Sequence, residues 1–488
     1  MNNKLIICLA LALIAHASVF GQYRNDLQKL TLEEVINMAR SQSPYAKRAE
    51  TTKENKYWQY RVFKSDYVPQ LSLNGNLPNY QKSVTAVTQE DGTTAFRKVD
   101  QANTDLSLSL SQSIAATGAK LTVNSDIYRF DDFKNDNVQY GGNPVVIGLE
   151  QPIFAYNDLK WNRKIEPMRF EESKREFVQQ LEVISRNSSR MFFDLLAAQI
   201  SLKIAQQNVQ SNDTIFKIAQ GRYQLGKIPE NDLLQLELNL MNSRQAVAQS
   251  ELDYETSLLS LRSYLGNNTK EEFELMIPAF IPEFDLQEAK AMEQAKNNRM
   301  EYLAFQRRLL EAQKEVARAK GESGLNMNLF ANYGLSNNGG TLSEVYQSPD
   351  EQIQARLGFY IPLLDWGRQK SRMKTALANY KLVEYTVAQE EVDFEREVYT
   401  KVKQFKMLKK KIEITKKADE ISLKRYTISK NRYLIGKISI TDLSIALTEK
   451  DQAKRDYINS LSDYWQAYYE LRELTLYDFK NDVLLYTD

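Results

Sequence analysis

Arg222-Tyr-Gln-Leu-Gly-Lys-Ile-Pro-Glu-Asn-Asp-Leu233 recurs as Arg432-Tyr-Leu-Ile-Gly-Lys-Ile-Ser-Ile-Thr-Asp-Leu443, 210 residues later and without a gap. Over residues 218–262 the same shift gives 13 identities in 45 positions, where average composition gives roughly three. The chain is an internal duplication. The shift reaches upstream to Gln151-Pro152-Ile153-Phe154, which falls on Ile361-Pro362-Leu363-Leu364. An earlier block, Leu32 to Asn74, matches Leu286 to Asn328 at a shift of 254, through Leu32/Leu286, Glu34/Glu288, Leu71/Leu325 and Asn74/Asn328. The difference between the two shifts leaves the first copy with about 44 extra residues between Asn74 and Ile147.

Working outward from the repeated turn, the period before it is that of a coiled coil. From Phe170 the apolar positions step through Phe177, Leu181, Ile184, Met191, Leu195, Ala198, Leu202, Ala205, Val209, Phe216 and Ala219, in threes, fours and sevens. Between 157 and 225 there is proline only at 167 and glycine only at 221. One helix of about 70 residues, on the order of 100 Å long, is the expectation, with a counterpart over about 367–435. Segments at about 31–65, 232–266, 286–320 and 442–476 read as helices of half that length, so two laid end to end match a long one. At the turns, Gly226 and Gly436 suit the left-handed position after a helix, Asn231 and Thr441 suit the next helix's cap, and Asp232 and Asp442 suit its dipole. The picture is a pair of tall antiparallel helical hairpins.

Between short and long helices the period changes to two. Leu71, Leu73 and Leu77, then Val145, Ile147, Leu149 and Ile153, alternate in the first copy. Leu325, Met327, Leu329, Tyr333 and Leu335, then Ile353, Leu357, Phe359 and Ile361, do so in the second. Each has the length of a tilted membrane-spanning strand. The extra residues of the first copy, within about 78–130, contain Leu106-Ser-Leu-Ser-Leu-Ser and Leu121-Thr-Val-Asn-Ser-Asp-Ile around Ala116-Thr-Gly-Ala-Lys, the pattern of one further hairpin. It either adds strands to a barrel or folds as an outer loop. Four or six strands cannot close a barrel, and an open edge cannot face lipid, so the barrel is shared between subunits. Trp58, Trp161 and Trp366, with Phe63, Tyr67, Phe154, Tyr156 and Tyr360, fall near the helix-to-strand junctions, where aromatics suit a membrane interface or a packed bend equally.

Composition narrows the chemistry. Lys4, the apolar run Leu5 to Ala15 and Val19-Phe20-Gly21 read as a secretory signal cleaved after Gly21. Cys8 and His16 are the chain's one cysteine and one histidine, and both lie within it. The remainder then offers no Cys or His for a nucleophile triad, a zinc site, haem ligation or a disulfide, and no cofactor is expected. Basic and acidic residues balance at 63 each once Lys4 is removed, so a nucleic-acid partner has no electrostatic footprint. No apolar run of 18 residues follows the signal, which excludes spanning helices and leaves a β-barrel open.

In this order and in duplicate, Leu30-Thr-Leu-Glu-Glu-Val, Tyr67-Val-Pro-Gln-Leu-Ser-Leu, Gln151-Pro-Ile-Phe and both Arg-Tyr-x-x-Gly-Lys-Ile turns followed by Asp-Leu resemble the TolC-type outer-membrane factor family of efflux and secretion channels. The resemblance implies an α+β membrane protein, mostly α, whose long antiparallel coiled-coil helices form a periplasmic α-barrel and whose strands enter a shared trimeric outer-membrane β-barrel. It also implies a homotrimer set in outer-membrane lipid, opened by a periplasmic adaptor protein and an inner-membrane pump. By resemblance, Leu225, Gly226, Lys227 and Ile228, with Ile435, Gly436, Lys437 and Ile438, are adaptor-contact tips, and Asp232, Tyr433 and Asp442 belong to the periplasmic gate. Two positions depart from the family's pattern: Ile445 stands where a second acid is usual, and Ile438 where a basic residue is usual. A closed state sealed partly by apolar contacts follows.

The domain reading is a signal over 1–21, a first repeat over 22–266, a connecting segment over 267–285, a second repeat over 286–476 and a tail over 477–488. The function implied is passive conduction of small molecules or secreted substrates to the exterior. A secreted structural or adhesive coiled-coil stalk is the alternative, though a stalk has no use for two-residue alternation inserted at matching points. A carboxylate hydrolase built on Glu33-Glu34, Glu171-Glu172 or Glu390-Glu391 is a third class, but adjacent helical residues diverge around the axis and read as solvated faces. The tip glycines are helix caps under every reading, the two aspartates also suit a helix start, and Tyr223 and Tyr433 also suit packing between helices.

Overall fold

A computed structural model describes residues 28–266 and 273–486. The expected signal, and residues 267–272 of the connecting segment, lie outside the described residues. The first repeat runs β1 (Gln28–Leu30), α1 (Leu32–Gln42), α2 (Pro44–Ser65), β2 (Gln70–Thr88), β3 (Thr94–Ile114), β4 (Ala119–Asp132), β5 (Asn137–Ile153), α3 (Asp158–Gln224) and α4 (Glu230–Leu265). The connecting segment holds β6 (Phe273–Leu275), and the second repeat runs α5 (Glu288–Asn298), α6 (Met300–Glu322), β7 (Asn326–Gly339), α7 (Leu342–Val345), β8 (Asp350–Tyr360), α8 (Arg368–Leu434) and α9 (Ile440–Thr475), followed by a small hairpin of β9 (Tyr477–Asp478) and β10 (Val483–Leu484).

Both long helices have 67 residues, and both helices after the tips have 36. The two shorter segments expected as single helices are each broken. Ser43 takes an extended backbone before Pro44, which disfavours helix at the residue preceding it, and the Ser43 hydroxyl then accepts from Ala46 N–H at 3.1 Å to start α2. Arg299, extended at ψ 141°, breaks the second, its guanidinium paired with Glu301 at 2.9 Å and Glu397 at 3.4 Å.

By its internal contacts the chain divides into two units. Met1–Lys47, Val183–Phe284 and Phe405–Glu470 form one. Its core holds Phe192, Phe193, Leu195, Leu196, Leu261 and Tyr464, all nearly inaccessible, and it carries the parallel pair of β1 with β6. Arg48–Glu182, Asp285–Gln404 and Leu471–Asp488 form the other, which contains the six-stranded antiparallel sheet in the order β2-β3-β4-β5-β7-β8.

The register of that sheet sorts residues onto two faces. Leu71, Leu110, Val123, Ile147, Tyr333 and Ile353 form one cross-strand row, each the partner of the next. The adjoining row, Gln70, Ser111, Thr122, Gly148, Asn332 and Gln354, is polar or small throughout and points to the opposite face. Leu71 is 68% exposed and Ile353 72% exposed, so the apolar face has no cover from this chain at either end. Hydrogen bonds fill the polar face, including Ser109 to Asn124 at 2.6 Å and Asn328 to Glu150 at 2.9 Å. The inserted β3 and β4 lie in the middle of the sheet, which decides against a separate outer loop.

Candidate functional site

The two turns between helices fold alike because the same residues are placed alike. Gly226 and Gly436 adopt φ of +64° and +75°. Gly226 N–H donates to the Tyr223 carbonyl at 2.8 Å and Lys227 N–H to that of Arg222 at 2.9 Å; Gly436 and Lys437 do the same with Tyr433 and Arg432, both at 2.9 Å. This paired bonding closes each helix with a left-handed glycine. A Cβ at either glycine would meet no atom within 4 Å, so backbone conformation and not space demands glycine there.

The caps of the following helices differ from expectation. Both helices begin two residues earlier than the sequence pattern places them, which puts Asn231 and Thr441 inside the first turn. Pro229 holds the cap position of α4 and makes no side-chain hydrogen bond. In α9 the cap is Ser439, whose hydroxyl accepts from Asp442 N–H at 3.1 Å, while the Asp442 carboxylate accepts from Ser439 N–H at 3.2 Å and its hydroxyl at 2.8 Å. These bonds to Ser439 hold the Asp442 carboxyl below its ordinary pKa. The signal was present as Ser-x-x-Asp, a short-armed form of the capping box.

Between the repeats lies an apolar cluster of Ile215, Ala219, Leu236, Tyr433, Ile440 and Leu443, with Ile228, Leu233 and Ile438 packed on it. Ile438, partly buried, packs against this cluster. Tyr433 is 6% exposed, whereas its repeat counterpart Tyr223 is 40% exposed. Burial raises the Tyr433 pKa, Asp232's charge adds to the rise and Arg222 opposes it. Among the described residues no hydrogen bond joins Asp232 to Tyr433. Their coupling is through space.

Arg222 joins the site without having been among the residues expected there. Its guanidinium donates to the carbonyl oxygens of Tyr433, at 3.3 Å, and Leu434, and lies 5.9 Å from the Tyr433 ring centre. A cation from one repeat therefore occupies the carbonyl-rich end of the other repeat's long helix, where the dipole favours it. The clue available was an arginine in the last turn of both long helices. Farther from the turns the contact between repeats is polar: Asn208 to Asp451 at 2.7 Å, Ser211 with Tyr426 at 3.1 Å, and Asn239 to Ser444 at 3.3 Å. Leu225 and Ile435, at matching positions, project 71% and 65% exposed. Among the described residues there is no cluster able to hold a metal ion, and no helix long and apolar enough to cross a membrane.

The fold is similar to those of solved outer-membrane channels. The CmeC channel of Campylobacter jejuni is 15% identical with a TM-score of 0.65, over 94% of this chain and 87% of that one. VceC of Vibrio cholerae is 14% identical with a TM-score of 0.62, over 91% of this chain and 95% of that one. The open state of MtrE from Neisseria gonorrhoeae is 13% identical with a TM-score of 0.62, over 92% and 90%. A protein of Haemophilus influenzae, named only as uncharacterized, is 27% identical over 119 residues, 22% of this chain and 26% of its own length. The match therefore spans about a quarter of that relative. The model of the outer membrane efflux protein family matches residues 35–267 and 291–475, both repeats almost whole. With duplicated hairpins, an alternating sheet and that match in agreement, the chain belongs to the outer membrane efflux protein family.

Proposed function

We propose that three copies of this chain close one gated outer-membrane pore, which conducts small molecules or secreted polypeptides passively from the periplasm, or from a pump complex, to the exterior. The observation that carries this is the uncovered apolar row ending at β2 and β8. An apolar sheet face needs lipid, and lipid cannot meet unpaired strand edges, so further copies must supply the missing neighbours. β2 and β8 run in opposite directions, so β8 of one chain meets β2 of the next in the antiparallel sense of the rest of the wall.

The gate is the pair of tips. Asp442, Asp232 and Tyr433 narrow and hold the periplasmic mouth, helped by the apolar packing of Ile438. A polar seam between the repeats supports movement there, since hydrogen bonds broken on opening are replaced by bonds to water. In the trimer each second-repeat tip adjoins the first-repeat tip of the next chain, where Arg432 and the exposed Tyr223 repeat the internal pairing of Arg222 with Tyr433. The residues Leu225 to Ile228 and Ile435 to Ile438 meet a periplasmic adaptor, their projecting Leu225 and Ile435 supplying apolar contacts, and an inner-membrane pump supplies the energy.

Native mass and planar-bilayer conductance of the purified protein test this reading. A heat-dissociable trimer whose conductance rises in Asp232→Ala/Asp442→Ala is expected. A monomer, or no conductance even in that variant, would overturn it.

A further inference from the structure

We propose that the inserted β3–β4 hairpin is part of the lipid-facing wall, so that each chain contributes six transmembrane strands and the closed trimer has eighteen. This rests on the trimeric pore proposed above and goes beyond it. The second repeat supplies one strand pair, β7 with β8, and by the two shifts its counterparts in the first repeat are β2 and β5. In this chain β2 and β5 are not partners. β3 and β4 stand between them, paired continuously from Gln101/Asp132 to Ile114/Ala119.

Three observations place the insertion at membrane depth. Leu110 and Val123 occupy the second and third places of a row that is apolar from β2 to β8 without a gap, and Ser111 and Thr122 keep the neighbouring row polar. An outer loop has no reason to match both rows at the same height. Leu108 and Leu110 are 44% and 40% exposed, on the same face as Leu73 and Phe359 at 66% and 72%. Finally, the β3–β4 turn is fastened at the helix end of the sheet: Asn157 donates to the Ala115 carbonyl at 2.9 Å and Gln151 to that of Thr117 at 3.1 Å. It is a four-residue turn at the end where barrels have short turns, while the other connections lie at the opposite end. The occupant of this face is lipid acyl chain, since exposed Phe359 stands on it one residue from the helix end of β8, and Phe154 and Trp366 follow the strands there at 70% and 90% exposure.

The consequence is pore width. Strands about 4.8 Å apart and tilted about 40° give a backbone diameter of about 36 Å for eighteen strands, against about 24 Å for twelve. The wall then encloses roughly twice the cross-section, room for bulky or polypeptide cargo rather than small solutes alone.

Spin labels on single cysteines test this in the full-length protein in proteoliposomes, on a background lacking Cys8. At Leu108, Leu110 and Val123 relaxation by lipid-dissolved oxygen is expected to exceed that by a water-soluble nickel chelate several-fold, with the ratio reversed at Ser107, Ser109 and Asn124. Leu73 and Phe359, outside the insertion, serve as controls. Lipid contact at the controls with water on both faces of the hairpin would overturn the eighteen-stranded wall and leave the proposed pore standing. Water at the controls as well would remove the pore and this inference together.

Discussion

The Arg222 guanidinium of the first repeat donates to the backbone carbonyls of Tyr433 and Leu434 in the second, and so fixes one hairpin's tip to the end of the other's long helix. Charge-assisted bonds at a partly exposed helix end are each worth about 1–2 kcal/mol. Arg222→Ala is therefore expected to loosen the tips, raising planar-bilayer conductance and sensitivity to large antibiotics. Arg222→Lys keeps the charge without the planar fork and should fall between. Wild-type conductance in Arg222→Ala would remove the clamp from the gate.

Asp442 has two separable tasks, capping its own helix and, in the proposed gate, presenting charge to the mouth. Ser439→Ala removes the capping hydroxyl at a cost of about 1 kcal/mol to the helix end and leaves the carboxylate in place. Asp442→Ala removes both. A larger conductance in Asp442→Ala than in Ser439→Ala is expected, and further enlargement on adding Asp232→Ala; equal values for the two single variants would reduce Asp442 to a cap. The pH sign is fixed by its lowered pKa. The cap's contribution is complete above the ordinary aspartate value of about 3.9 and disappears as pH falls through the lower folded value. Amide exchange at 439–443 should accelerate only in strong acid beyond the intrinsic trend.

Much of this architecture could be read from residues. Period, proline placement and the 210-residue register located both 67-residue helices to within a residue or two, because a coiled-coil stripe and a glycine stop are local signals. The breaks at Ser43 and Arg299 were harder. The first is an X-Pro step inside an otherwise amphipathic run, and the second, at Arg299, has neither proline nor glycine beside it to mark the break. Strand existence was legible from alternation, but whether β3 and β4 joined the wall depended on cross-strand partners. At the tips the glycines were plain, whereas Arg222 acts on carbonyls 211 and 212 residues away, and no local pattern marks that reach.

The tail is secured by a buried charge cluster. Arg472 donates to Glu182 at 2.8 and 3.1 Å and to Asp478 at 2.6 Å, with Glu182 fully inaccessible. Burial would raise the Asp478 pKa, but Arg472 and Asn481 outweigh it and hold it low. Arg472→Ala takes the guanidinium away from two buried carboxylates and is expected to cost about 3–5 kcal/mol. Thermal scans of the detergent-solubilised protein should show a clear loss of stability, smaller in Arg472→Ala/Glu182→Gln, where one of the two buried charges is also removed. Equal losses would mean the cost is packing, not charge.

Arg432 completes the comparison between repeats. Within one chain it and Tyr223 are exposed, while their counterparts Arg222 and Tyr433 are engaged with each other. If the tips of adjacent chains meet as the internal pair does, Arg432 of each copy caps the carbonyls of Tyr223 and Gln224 in the next, and six equivalent clamps ring the mouth. Arg432→Ala should then open the trimer as far as Arg222→Ala does, with the double variant opening it further. A cysteine at Arg432 should cross-link to one at Tyr223 only between chains, giving linked dimers and trimers on a denaturing gel. Full gate closure in Arg432→Ala, with no cross-link between copies, would confine the clamp to the single chain.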